Sequence, residues 1–164
     1  MIAVLQRIKK GSVLVEDREV GACGQGLCVL LGVGKEDDES DAVALAEKIV
    51  NLRIFTDEND KMNLSLKDVD GEMLIVSNFT LLAAYKKGKR PDYMGAAAPA
   101  EAERLYRYFI SLCENQVRHV GCGQFGAHMD ILLQNDGPVT IVMDSKVLLG
   151  KTPKVEKMSE RNNV

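Results

Sequence analysis

The segment from residue 26 to residue 33 reads Gly26-Leu27-Cys28-Val29-Leu30-Leu31-Gly32-Val33, and it is apolar at almost every position. A run of this length and composition predicts a β-strand that is buried on both faces. The apolar spacing then changes to three and four residues at Ala42, Leu45, Ala46 and Ile49, which predicts an amphipathic helix. We therefore expect a buried sheet that is covered by helices.

Further strand-like and helical segments lie on both sides of this unit. The other extended segments are residues 2–8, 12–16, the first half of 72–81, 117–120, 129–133 and 139–143. A turn at Lys10-Gly11 is expected to separate the first two. A second helix is expected to open at Pro99, because proline suits the first turn of a helix. Its apolar face would be formed by Ala102, Leu105, Tyr106, Phe109, Leu112 and Cys113.

These segments amount to about seven strands and two helices, too few helices for a regular alternation of strand and helix. The sequence therefore predicts an α+β fold. Its expected form is a curved antiparallel or mixed β-sheet, or a barrel, packed with two main helices.

Length, charge and cysteine content limit the kind of protein this is. At 164 residues the chain fits one domain, predicted for residues 1–150 and followed by a polar, flexible tail at residues 151–164. No apolar run is long enough to cross a membrane, and the N-terminus lacks the pattern of a signal peptide, so we expect a cytoplasmic protein. Four cysteines without close pairing suit free thiols in a reducing compartment. With a net charge of −3, a nucleic-acid partner would have to be held by a local basic patch.

Side chains that can bind metals or act as nucleophiles occur, but not in the spacing of a site. Cys113, His119, Cys122 and His128 lie within sixteen residues, yet no C-x-x-C pair that could chelate zinc is present. We expect them to be core and strand residues and predict no metal, while a Cys–His nucleophilic pair stays open. The acidic run at residues 36–41 is interpreted as the solvated entrance of the first helix, because carboxylates stabilise a helix N-terminus.

A basic loop follows the segment at residues 72–81. Lys86, Lys87, Lys89 and Arg90 place four positive charges within six positions. Most such runs are solvated surface, but lysine and arginine also neutralise phosphate groups irrespective of base sequence. Composition alone favours neither interpretation, and a neighbouring site is needed to decide between them.

Two short polar segments are candidates for a functional site. Ser77-Asn78-Phe79-Thr80 follows the apolar run at residues 74–76. It is either a plain strand end or a site where hydroxyls and backbone N–H groups face a ligand. Asn135-Asp136-Gly137-Pro138-Val139-Thr140 lies between two apolar segments and is predicted to be a turn. Its proline lacks a backbone donor and follows a peptide bond that can be cis.

Together these segments resemble the signature of the D-aminoacyl-tRNA deacylases. The family carries Ser-Gln-Phe-Thr-Leu at a strand end and Asn-x-Gly-Pro-Val-Thr in a later turn, which appear here at residues 77–81 and 135–140. Residues 3–7, 88–91 and 125–129 are also similar to family segments, and the resemblance runs from Met1 to about Ser145. Asn78 departs from the pattern, because it keeps the amide of the usual glutamine but is one methylene shorter.

The resemblance implies the family's fold and a cytoplasmic homodimer that hydrolyses the ester between a D-amino acid and tRNA. Gly137-Pro138 corresponds to a cis element that one subunit inserts into the pocket of the other, with Arg7 orienting its carbonyls. These carbonyls leave room for the α-hydrogen of a D-amino acid but exclude the Cβ of an L-amino acid. Achiral glycine is expected to pass, which makes glycyl-tRNA(Ala) a second substrate.

The resemblance also implies roles for the other site residues. The catalytic segment would be Ser77, Asn78, Phe79 and Thr80. In it, backbone N–H groups around Phe79 and Thr80 would stabilise the oxyanion, while the terminal 2′-hydroxyl of the tRNA assists the reaction. The pocket around the terminal adenosine would be completed by Ala100, Phe125 and Met129. The residues expected to contact the tRNA backbone are Lys86, Lys87, Lys89 and Arg90.

The expected partners are tRNA and a second copy of the chain, with no membrane, metal or bound cofactor. Three alternatives stay open. The Thr80 hydroxyl could be the nucleophile, although no base lies near it in sequence. The chain could be a non-catalytic tRNA-binding module. It could also be a metal- or thiol-dependent hydrolase that uses Cys113, Cys122 and the two histidines.

Overall fold

The computed structural model describes residues 1–86 and 88–151. The predicted tail, apart from Lys151, lies outside the described residues, as does Lys87 of the basic loop. The described elements, in chain order, are β1 (Ile2–Val15), β2 (Arg18–Cys23), β3 (Gly26–Gly32), α1 (Glu39–Val50), β4 (Phe55–Thr56), β5 (Met62–Leu64), β6 (Glu72–Ser77), a 3-10 helix (Phe79–Leu82), α2 (Pro99–Glu114), β7 (Val120–Cys122), β8 (Asp130–Asp144) and α3 (Ser145–Leu148). None of these helices is long and apolar enough to cross a membrane.

The main sheet is built around β1, which is paired on both edges. β8 runs antiparallel along one edge of β1. On the other edge, β3 pairs with residues 2–8 and β2 with residues 11–15, again antiparallel. β6 adds to β3 and β7 adds to β6, both in parallel, which gives the order β2-β1-β3-β6-β7. With α1 and α2 packed on the core of this mixed, curved sheet, the predicted α+β fold is confirmed.

The sheet nearly closes on itself where β2 meets β7. A Cβ built on Gly21 would lie 2.2 Å from the carbonyl oxygen of Cys122, and one on Gly121 would lie 2.3 Å from that of Ala22. The two backbones are therefore closer than any side chain at these positions would allow. The imidazole Nε2 of His119 adds a contact of 3.0 Å to the Ala22 carbonyl oxygen. Glycine at both positions lets the two ends of the curved sheet come into backbone contact.

The first two predicted strands form one continuous strand, β1. Gly11, predicted to lie in a turn, is instead a close-packing position, because a Cβ there would lie 2.8 Å from Leu133 Cδ2. The chain reverses later, at Glu16 and Asp17, whose φ angles of 50° and 62° make a tight hairpin into β2. β2 has no counterpart among the predicted segments, because its sequence, Arg-Glu-Val-Gly-Ala-Cys, has neither an apolar run nor a clean alternation.

The last two predicted strands also merge, into β8. The turn predicted at residues 135–140 is a bulge within this strand: Ile8 of β1 pairs with Asn135 and Gln6 with Thr140, so four residues of β8, 136–139, lie opposite the single residue Arg7 of β1. The turn prediction was wrong because a Gly-Pro pair can interrupt strand pairing without reversing the chain. β7 lies at Val120–Cys122, two to three residues later than predicted.

Both predicted helices are present. α1 begins after Asp38, whose carboxylate accepts from the N–H groups of Ser40 and Asp41, while the Asp41 side chain accepts from the N–H of Asp38. Hydrogen bonds from Ser40 lower the pKa of Asp38 to about 2. The acidic run is thus at the helix entrance as predicted, but it is not solvated throughout: Asp37 and Asp41 are buried, and Asp37 lies 2.8 Å from the N-terminal amine of Met1. α2 begins at Pro99, and its buried residues are Leu105, Tyr106, Phe109 and Cys113.

The backbone contact between β2 and β7 predicts the effect of adding a methyl group at Gly121. Gly121→Ala should lower the free energy of unfolding by about 2 kcal/mol, because the methyl has to displace the backbone of β2. In the control Gly95→Ala the Cβ would lie 3.4 Å from the Leu82 carbonyl oxygen, and the change should stay below about 0.5 kcal/mol. Urea unfolding followed by circular dichroism measures both. Equal stability of the two variants would contradict the packing argument.

Candidate active site

A cleft of about 660 Å³ lies at the end of β6. Because β3 and β6 are parallel, they end at the same edge of the sheet, where Leu31 pairs with Ser77. The start of α2 and the segment before β8 supply the other walls. The lining residues are Leu30, Val33, Val76, Ser77, Asn78, Phe79, Thr80, Ala96, Ala97, Pro99, Ala102, Phe125, Gly126, Ala127, His128, Met129 and Ile131.

The structure brings most of the predicted catalytic and pocket residues together. Those that line the cleft are Ser77, Asn78, Phe79, Thr80, Phe125 and Met129. Ala100 is exposed and is not among the lining residues, although Pro99 and Ala102 of the same helix are. The strand end at residues 77–80 is thus part of a concave surface.

Asn78 shapes the turn that carries the predicted catalytic segment. Its Oδ1 accepts hydrogen bonds from the backbone N–H of Thr80 at 3.2 Å and from the Thr80 hydroxyl at 2.5 Å, which caps the 3-10 helix. Its own backbone N–H donates to the carbonyl of Leu31 at 2.8 Å. The Thr80 hydroxyl is therefore held as a donor to an amide oxygen, which is not a base that could remove its proton.

Phe79 stands at the first position of the 3-10 helix. Its N–H has no hydrogen-bond partner within the described residues, as is usual for the first turn of a helix. Since Asn78 occupies the N–H of Thr80, the N–H of Phe79 is the one predicted oxyanion donor that the fold leaves unpaired. The ring of Phe79 is 57% exposed and lies edge-on to the ring of Tyr93, with 5.2 Å between centroids.

Phe125, in the apolar wall of the cleft, packs against the buried side chain of Tyr106. The ring centroid of Phe125 lies 5.9 Å from that of Tyr106, whose hydroxyl donates to the carbonyl of Ile75 in β6 at 2.8 Å. Burial raises the pKa of the Tyr106 hydroxyl, which keeps it a neutral donor. Met129 Sδ fills the space beside Gly123, where a Cβ would lie 2.6 Å from it. Phe125 and Met129 therefore form a fixed apolar wall of the cleft that also contains the polar turn at residues 77–80.

Gly137 and Pro138 lie outside this cleft, in the exposed bulge of β8. The peptide bond between them is cis. Gln6 holds both ends of the bulge, because its Oε1 accepts from Asn135 Nδ2 at 2.9 Å and from the Thr140 hydroxyl at 3.0 Å. The bulge is thus fastened at its base to β1.

Arg7, the next residue of β1, holds the same bulge at a second point. Its Nε lies 3.2 Å from the carbonyl oxygen of Asp136 and 3.1 Å from the Asp136 carboxylate. Its Nη1 donates to the carbonyl of Ile54 at 2.7 Å, and the side chain is about nine-tenths buried. The carbonyl that Arg7 contacts is the one immediately before Gly137.

The basic loop begins and ends at the cleft. At its start the Ala83 N–H donates to the Thr80 carbonyl at 3.1 Å, and beyond its end the Ala97 N–H donates to the Val33 carbonyl at 2.9 Å. The described cations of the loop, all exposed, are Lys86, Lys89 and Arg90. The loop that carries the charged segment is therefore anchored next to the cleft at both ends.

Comparison with known proteins points to one family. The family model described as D-Tyr-tRNA(Tyr) deacylase matches residues 4–144. A D-aminoacyl-tRNA deacylase of Caldicellulosiruptor saccharolyticus is 56% identical over 146 residues, which is 89% of this chain and 98% of that protein. One of Thermosipho africanus is 56% identical with the same coverage. The chain belongs to the D-Tyr-tRNA(Tyr) deacylase family.

Solved structures agree with membership of the deacylase family. One named c-Myc DNA Unwinding Element Binding Protein is 40% identical, with a TM-score of 0.83 over 88% of this chain and 98% of that one. A second, described as a probable eukaryotic D-amino acid tRNA deacylase, is 18% identical with a TM-score of 0.76 over 87% and 98%, and it supports the fold alone. Membership confirms the resemblance stated from the motifs, and with it the prediction of a hydrolase.

Two residues at the cleft and the bulge were not predicted as site residues. His128, expected in the core or a strand, is exposed and is the only titratable side chain that lines the cleft among the described residues. Gln6 has no distinctive sequence signal, yet it holds both ends of the bulge. Both lie within the segments at residues 3–7 and 125–129 that resemble the family, which is the signal that could have found them.

The cysteines do not form a second site. Cys113 is fully buried on α2, as predicted, and burial raises the pKa of its thiol to about 12. At neutral pH it is therefore protonated and a poor nucleophile. The described residues contain no group of three His, Cys, Asp or Glu side chains that could hold a metal ion. Neither observation supports a thiol- or metal-dependent mechanism.

The raised pKa predicts how the thiols react. In the folded protein Cys113 should stay unmodified by iodoacetamide at neutral pH, because it is buried and almost entirely protonated. Cys122, half-buried in β7, is the internal comparison and should react faster. Mass spectrometry of peptides labelled with and without denaturant measures both. Modification of native Cys113 at the rate of Cys122 would contradict this account.

Proposed function

We propose that this chain hydrolyses the ester that joins a D-amino acid to the terminal adenosine of tRNA, and that it leaves L-aminoacyl-tRNA intact. The family and the names of its relatives support the reaction. The observation that carries the proposal is the cleft, where the unpaired N–H of Phe79 is combined with an apolar wall that contains Phe125 and Met129. An aminoacyl ester is already activated, so a preorganised oxyanion donor is a substantial part of what the reaction needs.

In this proposal water is the nucleophile, and the hydroxyl that assists its attack belongs to the tRNA rather than to the protein. The Thr80 hydroxyl donates to Asn78, and His128 is the only titratable side chain lining the described cleft. The terminal 2′-hydroxyl would assist the attack of water on the ester carbonyl, while the N–H of Phe79 binds the developing oxyanion. The ester C–O bond then breaks, and the 3′-oxygen leaves with a proton to give free amino acid and deacylated tRNA.

Chirality would be judged by the main chain at Gly137 and Pro138. Carbonyl oxygens held against the α-carbon accept a hydrogen there but not a Cβ, so rejection of L-amino acids follows from exclusion. Arg7 supports this role because it holds the neighbouring Asp136 carbonyl. Glycine has no Cβ that could clash with these carbonyl oxygens. Glycyl-tRNA(Ala) is therefore a second proposed substrate.

This role requires a homodimer. Gly137 and Pro138 do not line the cleft of their own chain, so they would have to enter the cleft of a second copy. β8 offers a surface for that contact: within the described residues it pairs with β1 alone, and Leu132 and Val142 on it are 56% and 69% exposed. An unpaired strand edge and exposed apolar side chains along the same strand both favour a contact with a second copy.

The acceptor end of tRNA would lie across the basic loop. Lys86, Lys89 and Arg90 are exposed beside the cleft and can neutralise phosphates, which implies binding that weakens with salt and depends little on base sequence. Lys87 is assigned the same role from the sequence. Free cysteines are in keeping with a cytoplasmic site of action, which is part of the proposal.

The proposed chemistry predicts which hydroxyl is essential. The protein should release tyrosine from D-Tyr-tRNA but not from L-Tyr-tRNA, and should bind but not hydrolyse D-Tyr-tRNA that ends in 2′-deoxyadenosine. Thr80→Val should keep the rate within about tenfold, since it loses a single hydrogen bond. Release of labelled tyrosine measures all three. Full loss in Thr80→Val with tRNA binding intact, and turnover of the 2′-deoxy substrate, would place the nucleophile on Thr80 instead.

The proposed chiral check predicts the effect of Arg7→Lys. Lysine cannot contact Asp136 and Ile54 together, so the bulge should loosen and the ratio of D-Tyr-tRNA to L-Tyr-tRNA hydrolysis should fall about tenfold. Lys9→Ala, an exposed cation on the same strand, is the matched control and should leave the ratio unchanged. Sedimentation velocity tests the dimer under assay conditions. Unaltered rejection of L-Tyr-tRNA in Arg7→Lys, or a wild-type monomer, would contradict the cross-subunit role.

One relative favours a second candidate function, nucleic-acid binding without hydrolysis. The 40%-identical protein is named for binding a DNA element, and exposed cations beside a cleft would suit such a role. The tyrosine-release assay separates the two functions, because a binding module would retain tRNA and leave D-Tyr-tRNA intact.

A further inference from the structure

Three aromatic side chains of this protein are exposed, and two of them, Phe79 and Tyr93, contact each other at the cleft. Of four tyrosines and four phenylalanines, Phe79, Tyr85 and Tyr93 are 57%, 82% and 38% exposed, whereas the other five are buried or half-buried. Met94, next to Tyr93, is 69% exposed. Large apolar side chains that cluster in water mark a contact surface. We call Phe79, Tyr85, Tyr93 and Met94 the aromatic patch.

A loop at residues 83–95, described except for Lys87 and here called the arm, carries most of this patch. The Ala84 N–H donates to the Asp92 carbonyl at 2.7 Å, and the Asp92 N–H donates to the Ala84 carbonyl at 2.8 Å, so one antiparallel bridge closes the base of the arm. Tyr85 and Tyr93 each follow one of the two bridge residues, and the alternation of side chains in an extended chain puts both on the face opposite to that of Ala84 and Asp92. The arm ends where the Lys35 N–H donates to the Gly95 carbonyl at 3.1 Å.

The aromatic patch is continuous with the cleft. Phe79 lines the cleft, and its ring packs edge-on against Tyr93 at the base of the arm. Lys86, Lys89 and Arg90 are exposed on the same arm. Aromatic faces that alternate with lysine and arginine are the combination with which proteins bind single-stranded nucleic acid. A duplex keeps its base faces stacked, so it offers nothing for this surface to stack against.

We propose that Tyr85 and Tyr93 stack on the unpaired 3′ nucleotides of tRNA that precede the terminal adenosine, while Lys86, Lys89 and Arg90 neutralise their phosphates. This inference rests on the proposed function, because the terminal adenosine has to occupy the cleft for the preceding nucleotides to reach the arm. The single strand is thereby led into the cleft by contacts that do not depend on the identity of the amino acid.

The experiment compares two probes, a deacylated tRNA with its complete 3′ end and the same tRNA without the unpaired 3′ nucleotides. Tyr85→Ala should raise the Kd for the complete tRNA about tenfold and leave the Kd for the shortened tRNA unchanged. Tyr85→Phe keeps the ring and should bind like the wild type. Met62→Ala removes a side chain that is 60% exposed on β5, and as the matched control it should change neither Kd.

Other results would overturn the inference. Equal weakening of both probes by Tyr85→Ala would place the contact on the duplex. No change in either Kd would show that tRNA does not bind the aromatic patch. A change in the sedimentation coefficient of Tyr85→Ala would then assign the patch to a contact between protein copies.

Turnover of D-Tyr-tRNA separates this inference from the proposed function. If stacking guides the strand, Tyr85→Ala raises KM about tenfold, and the loss falls on KM rather than on kcat. Wild-type turnover with no rise in KM for the variant would overturn the stacking role alone. Absence of wild-type turnover, with the predicted pattern of Kd values, would overturn the proposed function alone.

Discussion

Hydrogen bonding along both edges of β1 holds this domain together. β8 follows one edge for almost the full length of the strand, and β3 and then β2 follow the other. A strand paired in this way has to curve with the sheet, and the absence of a side chain at Gly11 provides room for Leu133 of β8. The same curvature brings β2 back to β7, where Gly21 and Gly121 permit contact between backbones.

The pairing of β1 also separates the two features on which function is proposed to depend. On one side, β3 and β6 run parallel and end together, which places the turn after Ser77 at the mouth of the cleft. On the other side, Gln6 and Arg7 hold the bulge of β8, outside that cleft. One chain therefore presents a pocket and a projection at different places, an arrangement that suits exchange between two copies.

Local patterns were sufficient to predict the helices and to single out the polar segment of the cleft, whereas Phe125 and Met129 were assigned to it only through the family resemblance. Asp38 and Pro99 mark helix starts by hydrogen bonding and by ring geometry, both of which act within a few residues. The polar residues at 77–80 made this strand end a candidate, and the family resemblance decided between a plain strand end and a site. The rest depends on distant contacts. Gly11 reads as a turn residue unless the position of Leu133 is known, and His128 belongs to the cleft only because β8 begins beside it.

The two side chains that hold the bulge belong to neighbouring residues of one strand, and neighbouring side chains of a strand point to opposite faces of the sheet. Gln6 is partly exposed, and Arg7 is buried towards Ile54. The bulge of β8 is therefore held by side chains from both faces of the sheet. Contacts on both faces restrain movement of the bulge in either direction. Steric selection between two substrates requires such restraint, because a backbone that moved aside would admit both.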